Sequence, residues 1–253
     1  MSYTQPKLII AGGLSQHKVV YVASGGYHNA AISDSGGLFT WGRADVGQLG
    51  LPEGYLQTDE MGKVSTFPKQ IPEYIFYSKQ IKQVALGEAH TIVLNSDAHV
   101  FTFGWNDFGQ LGVQTDEVFN VHRLGAIGPC CLIAAGAISS FAVERSRTKL
   151  YAWGSQQNGQ LGVSLDTKNT IFSKPTPVVI KEMGRIKEIV CADSSTIVRS
   201  MDTDRVFGWG RGFSIERQLD ISRFKPKEMA SIETFHRFLL GPIPSISATE
   251  ALL

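Results

Sequence analysis

The sequence predicts an all-β chain, an incomplete β-propeller of about four blades forming an open arc or a fragment of a ring. Three observations carry this prediction. Gly-Gln-Leu-Gly stands three times, at 47–50, 109–112 and 159–162, each copy beginning six residues after an aromatic residue that precedes Gly. The aromatic-Gly pairs start at 41, 103, 153 and, in a fourth copy, 209. Successive copies therefore lie 62, 50 and 56 residues apart, the length of a four-stranded propeller blade. Helical period is nearly absent, and 232–240 is its best and still poor match.

Each repeat opens on a short strand that ends in Gly, followed by a turn that carries a polar residue. In the first, Val22-Ala23-Ser24-Gly25 leads past His28 to Ala30-Ala31-Ile32. In the second, Val84-Ala85-Leu86-Gly87 leads past His90 to Ile92-Val93-Leu94. In the third, Ile133-Ala134-Ala135-Gly136 leads past Ser139 to Phe141-Ala142-Val143. The fourth, Ile189 to Ser195, has lost both the Gly and the His. Turn residues come next: Asp34-Ser35-Gly36-Gly37, Asn95-Ser96-Asp97, the weaker Arg145 to Lys149, and Asp202-Thr203-Asp204. The third strands, Leu38–Trp41, Val100–Phe103, Leu150–Trp153 and Val206–Trp209, are β-branched and aromatic. They end in Gly42, Gly104, Gly154 and Gly210.

The glycines Gly47, Gly50, Gly109, Gly112, Gly159 and Gly162 mark turn positions where a Cβ would clash. Trp41, Phe103, Trp153 and Trp209 are expected to pack between adjoining blades. His28 and His90 are expected to hydrogen-bond backbone within each blade. Length variation falls after Gly-Gln-Leu-Gly, and 52–72 reads as a polar surface insertion. The chain divides into a lead-in or N-terminal strand (1–18), the repeats (19–220) and a degenerate partial repeat (221–253).

Over 19–220 these strings resemble the regulator-of-chromosome-condensation repeat family. The fourth copy departs, with Ile215-Glu216-Arg217-Gln218 in the Gly-Gln-Leu-Gly slot. The resemblance implies a ring of seven blades, which at this repeat length needs about 350 residues. This chain has 253, and 245–253 aligns loosely with 83–91, in the middle of a repeat. A fragment, a divergent small propeller or open arc, and a ring completed by two chains all remain open. An unpaired apolar blade face is expected to drive self-association. Functionally, the resemblance implies nucleotide exchange on a small GTPase, or scaffold duty in ubiquitin-ligase, trafficking or ciliary assemblies.

Composition narrows the partners. The net charge is +1 and no basic run of five occurs, so bulk electrostatics favour neither nucleic acid nor an anionic membrane. No apolar stretch reaches membrane-spanning length, and no leading secretory signal or Asn-x-Ser/Thr acceptor is present. The three cysteines, Cys130, Cys131 and Cys191, read as reduced strand residues, and a cytoplasmic or nuclear location is expected. No Cys-x-x-Cys, His-x-x-x-His or Gly-x-Ser-x-Gly spacing exists, so neither a metal nor a serine nucleophile of that type is expected. Gly208 to Gly212 lacks the context of a nucleotide loop, no cofactor is expected, and Asp116-Glu117 reads as a pair of solvated loop charges.

Recognition is expected on the four-residue segments between each aromatic-Gly pair and Gly-Gln-Leu-Gly, because equivalent loops lie on one end of a propeller. The candidate binding residues are Arg43 and Asp45, then Trp105, Asn106 and Asp107, then Gln156, Gln157 and Asn158, then Arg211. The competing reading is that Asp45 and Asn106 only shape their turns. A second candidate is 55–77, with Tyr55, Phe67, Tyr74, Phe76 and Tyr77, which could equally be an outer strand and loop. The functional expectation is a non-catalytic protein-interaction scaffold, with guanine-nucleotide exchange as the alternative. No residue is assigned to an exchange wedge.

Overall fold

Short β-branched runs separated by turn residues bury one another as antiparallel hairpins. In the computed structural model they form four sheets. The structure describes residues 7–115, 117, 119–163, 169–211 and 227–229. The first sheet contains β1 (Val19–Ser24), β2 (His28–Ser33), β3 (Leu38–Arg43), β4 (Gln57–Asp59) and β5 (Gly62–Gln70), in the order β1-β2-β3-β5-β4. The second runs β6 (Ile81–Leu86), β7 (His90–Asn95), β8 (Val100–Gly104), β9 (His122–Arg123). The third runs β10 (Cys130–Ala135), β11 (Ser139–Glu144), β12 (Leu150–Ser155), β13 (Ile171–Val178). The fourth runs β14 (Ile186–Cys191), β15 (Ser195–Ser200), β16 (Val206–Gly210), β17 (Lys227–Met229). The described chain is thus all-β, a run of propeller blades. The expectations on 215–218, 232–240 and 245–253 lie outside the described residues.

The four sheets share details that the sequence pattern hides. The first strand of each sheet slips register after its opening residue, between Val19 and Tyr21, Ile81 and Gln83, Cys130 and Leu132, and Ile186 and Glu188. An irregularity at the same place in every sheet sharpens the twist there. Each hairpin after the second strand turns on one left-handed residue: Gly36 (φ 85°), Ala98 (φ 67°), Arg147 (φ 65°) and Asp204 (φ 59°). The third hairpin therefore closes on a left-handed residue as the others do, despite its weak signal, though it is one residue longer than the first two. The insertion at 52–72 supplies strands: β5 pairs with β3, and β4 adds a fifth strand outside it. Pro175 and Pro177 lie in β13, an edge strand of its sheet, where a missing N–H is tolerated.

The repeat signature proves to be a seam between neighbouring sheets. The last Gly of each Gly-Gln-Leu-Gly has positive φ and lies flat against the aromatic ring of the next sheet. A Cβ on Gly50 would stand 2.7 Å from Phe103, one on Gly112 2.9 Å from Trp153, and one on Gly162 2.7 Å from Trp209. Within the same turns the Gln carbonyls accept hydrogen bonds across the seam. Gln110 O receives Trp153 Nε1 at 2.9 Å and Ser140 Oγ at 2.7 Å. Gln160 O receives Trp209 Nε1 and Thr196 Oγ1, both at 2.9 Å. Phe103 has no indole N–H, so among the described residues Gln48 O receives Thr91 Oγ1 alone, at 2.8 Å.

The histidines join these seams instead of bonding backbone in their own blade. His28 Nε2 lies 2.7 Å from Thr91 Oγ1, and His90 Nε2 lies 3.0 Å from Ser140 Oγ. Each hydroxyl spends its one proton on a Gln carbonyl, so each imidazole must be the donor, which fixes the Nε2–H tautomer. Burial lowers the pKa of His28 to about 4. It lowers that of His90 to about 3, with the charge of His28 a lesser cause. Gly25, Gly87 and Gly136 stand where the sheets converge: a Cβ on each would meet the backbone oxygen of Gly87, Gly136 or Ala192 at 2.3, 2.7 and 2.8 Å. Ser139 cannot reach across as a histidine does, and its Oγ is buried without a partner among the described residues.

Candidate functional site

The loops that follow the aromatic-Gly pairs are held from inside by the Gln side chains. Gln48 Oε1 accepts from Val46 N at 3.1 Å, Gln110 Oε1 from Phe108 N at 3.0 Å, and Gln160 Oε1 from Asn158 N at 2.8 Å. One further side chain braces two of the loops. Asn106 Oδ1 accepts from Leu111 N at 3.0 Å while its Nδ2 donates to Val113 O at 3.0 Å. Gln156 repeats this with Leu161 N at 2.7 Å and Val163 O at 2.8 Å. The first loop has Ala44 at this position and is braced differently. Asp45 Oδ1 accepts from Lys63 N at 2.6 Å and Asp45 Oδ2 from Arg43 Nε at 2.9 Å. Arg43 also reaches Asp59 at 3.2 Å and the carbonyl of Met61. Arg43 and Asp45 thus fasten the β4–β5 hairpin to β3.

These bonds sort the nine candidate residues. Arg43, Asp45, Asn106 and Gln156 are engaged in holding loops, and Asn158 Nδ2 contacts Ser194 Oγ of the next sheet at 3.4 Å. Asp107, Gln157 and Arg211 are exposed, and Trp105 is half-buried with its ring edge-on to Phe108 at 5.2 Å. Trp105, Asn106 and Asp107 come together with Val46, Thr115 and Glu117 around a cleft of about 500 Å³. The clustering of Val46, Thr115 and Glu117 with them is not signalled by the repeat, because 113–121 has no counterpart in the other units. A second hollow, of about 450 Å³, carries Glu117 and Phe119 on its rim. In the insertion, Tyr74 and Tyr77 are exposed, whereas Phe76 is buried edge-on to Phe101 at 5.3 Å.

Replacing Asn106 by Ala removes both braces of its loop. The expected cost is about 1–3 kcal/mol, because Leu111 N and Val113 O lose their partners. Urea unfolding measures this, and an unchanged midpoint would show that solvent satisfies both groups.

Burial pushes the Cys130 and Cys191 thiols up to about 12, so neither is a thiolate near neutrality. Among the described residues no three His, Cys, Asp or Glu side chains converge to hold a metal ion. No helix among them is long and apolar enough to cross a membrane.

Comparison with known proteins agrees with this geometry. Models of the regulator of chromosome condensation (RCC1) repeat match residues 35–94, 97–143 and 149–198, and a variant of that repeat matches 19–48 and 81–110. The chain is 33% identical over 195 residues to the human probable E3 ubiquitin-protein ligase HERC6, covering 75% of this chain and 18% of that protein. It is 28% identical over 202 residues to the guanine nucleotide exchange factor SRM1 of Saccharomyces cerevisiae, covering 77% of this chain and 40% of that one. It therefore spans less than half the length of either relative. The crystal structure of human WBSCR16 superposes with a TM-score of 0.70 at 22% identity, over 86% of this chain and 53% of that one.

Proposed function

Because the chain belongs to the regulator of chromosome condensation (RCC1) repeat family, we propose that it is a non-catalytic protein-interaction scaffold. Its contact face is the row of loops after the aromatic-Gly pairs. The observation that carries this reading is a division of labour within the loops. Gln48, Gln110 and Gln160, with Asn106 and Gln156, hold the backbone from inside, while Trp105, Asp107 and Gln157 remain at the surface. A rigid frame that presents polar and aromatic groups lowers the ordering cost of binding. A cytoplasmic or nuclear setting fits the three cysteines, all of them free.

The test replaces Trp105 by Ala, Asp107 by Asn and Gln157 by Ala together, leaving the braces intact. Binding to a protein partner identified by cross-linking is expected to weaken on the order of a hundred-fold, since loss of a single contact-centre aromatic often accounts for much of that. Undiminished binding would place the contact face elsewhere. The second reading, nucleotide exchange on a small GTPase, draws on the similarity to SRM1. It requires faster release of labelled GDP from a small GTPase in the presence of this chain, and no acceleration across a panel would remove it.

Self-association through the first sheet belongs to the same proposal. Val20, Tyr21 and Val22 of β1 are exposed, and the exposed Leu8 and Ile9 line a hollow together with Val22. Val22→Lys is expected to shift sedimentation toward monomer at concentrations where the parent chain associates. Equal behaviour of both chains would clear this face of the role.

A further inference from the structure

The cleft between the first and second loops has a one-sided chemistry. It is lined by Val46, the Trp105 ring, Asn106 and Thr115, with the buried Leu111 beneath, and it carries two carboxylates, Asp107 and Glu117. Among the described residues no Lys or Arg lines it. The neighbouring cations are already engaged: Arg43 with Asp45 and Asp59, and Lys63 with Glu53. Asp107 has no ion pair or hydrogen bond among the described residues. Glu117 spends one oxygen, Oε2, on Asn120 Nδ2 at 2.6 Å, which leaves Oε1 for another donor.

Candidate ligands can be sorted by what such walls tolerate. An anion is repelled by both carboxylates. A hard metal ion requires six or more oxygen ligands and gains nothing from an indole face. A wholly apolar group would strip water from Asp107 and Glu117 without replacing it. A side chain with an apolar stem and a cationic head meets every surface: the stem lies along Val46, the head stacks on the indole and reaches the carboxylates. We propose that this cleft is a socket for a protonated lysine or arginine side chain projecting from the partner protein. The proposal rests on the scaffold reading and names the chemistry of its contact. The braces of Asn106 keep the socket open without a ligand, so little ordering is required on binding.

The test uses the full chain labelled with 5-fluorotryptophan, whose four tryptophans, in different surroundings, are expected to give separate fluorine resonances. The Trp105 signal is assigned by its loss in Trp105→Phe. Three probes are titrated: the Nα-acetyl methylamides of lysine, of arginine and of norleucine. The lysine or arginine probe is expected to move the Trp105 resonance saturably, with millimolar affinity, while norleucine leaves it in place. The stronger of the two cationic probes names the head group. Asp107→Asn, an exposed change, is expected to weaken binding on the order of ten-fold, and high salt to weaken it further. No movement with either cation, equal movement with norleucine, or indifference to Asp107→Asn would each overturn the socket.

Partner capture separates this outcome from the broader reading. If capture depends on Gln157 but not on Asp107 or Trp105, the socket fails and the scaffold stands. If capture ignores every loop variant, the loop-face reading fails and the partner's side chain fails with it as occupant, even where the cationic probes still bind.

Discussion

Replacing Trp153 by Ala is expected to lower the unfolding free energy by about 3–5 kcal/mol, the range for deleting a fully buried large aromatic. Trp153 is wholly buried between the second and third sheets. Its ring covers Gly112, and its indole N–H satisfies Gln110 O. The cavity would form where Gly112 offers no side chain to collapse into it. Trp153→Phe separates the two contributions, because the protein already uses phenylalanine in this slot at Phe103. It is expected to cost about 1–2 kcal/mol, for the lost hydrogen bond and a smaller ring. Denaturant unfolding of both variants measures the difference. Equal losses would mean that the hydrogen bond, and not the ring volume, seals the seam.

Acid is expected to open the seams before it titrates the carboxylates. His28 and His90 have folded-state pKa values near 4 and 3 because both are buried, whereas the unfolded chain protonates near the ordinary 6.5. The unfolded state therefore binds protons first as pH falls. Stability is full above about pH 6.5 and is lost progressively toward the folded-state values, at about 1.4 kcal/mol per unit for each histidine. The decisive window is about pH 6.5 to 5, where ordinary carboxylates remain charged. Urea midpoints are expected to fall steadily across it. His90→Ser, which copies the third repeat, is expected to flatten the slope while lowering the midpoint at neutral pH. A midpoint indifferent to pH in this window would show that the imidazoles are hydrated in the folded protein.

The strands and the blade period were legible in the sequence because they are local. Leu38–Trp41 and its three counterparts announce themselves by composition, and the glycines of Gly-Gln-Leu-Gly by recurrence. What the repeat does was harder to read, since each of its contacts ends on the next copy. Gly50 meets Phe103, and Gly112 meets Trp153, more than forty positions along the chain. The sequence alone suggests histidine bonds within a blade for the same reason: Thr91 and Ser140, their partners, belong to the neighbour.

The candidate site shows a similar limit. Arg43 and Asp45 have the exposed, charged character of recognition residues, and nothing local says that an insertion about twenty positions later folds back to occupy them. Gln156 and Asn106 differ in length yet brace their loops in the same way, an equivalence visible only through the backbone atoms they reach. The gathering of Trp105 with Glu117 depends on the path of 113–121, which follows no repeat.

The substitution of Ser139 for histidine has a mechanical consequence. Of the three described seams, the first two carry an imidazole cross-tie and the last does not. The first seam in turn lacks the indole donor, since Phe103 stands there, so only the middle seam carries both ties. In an optical trap, extension should then occur in at least two steps, the second and third sheets parting last.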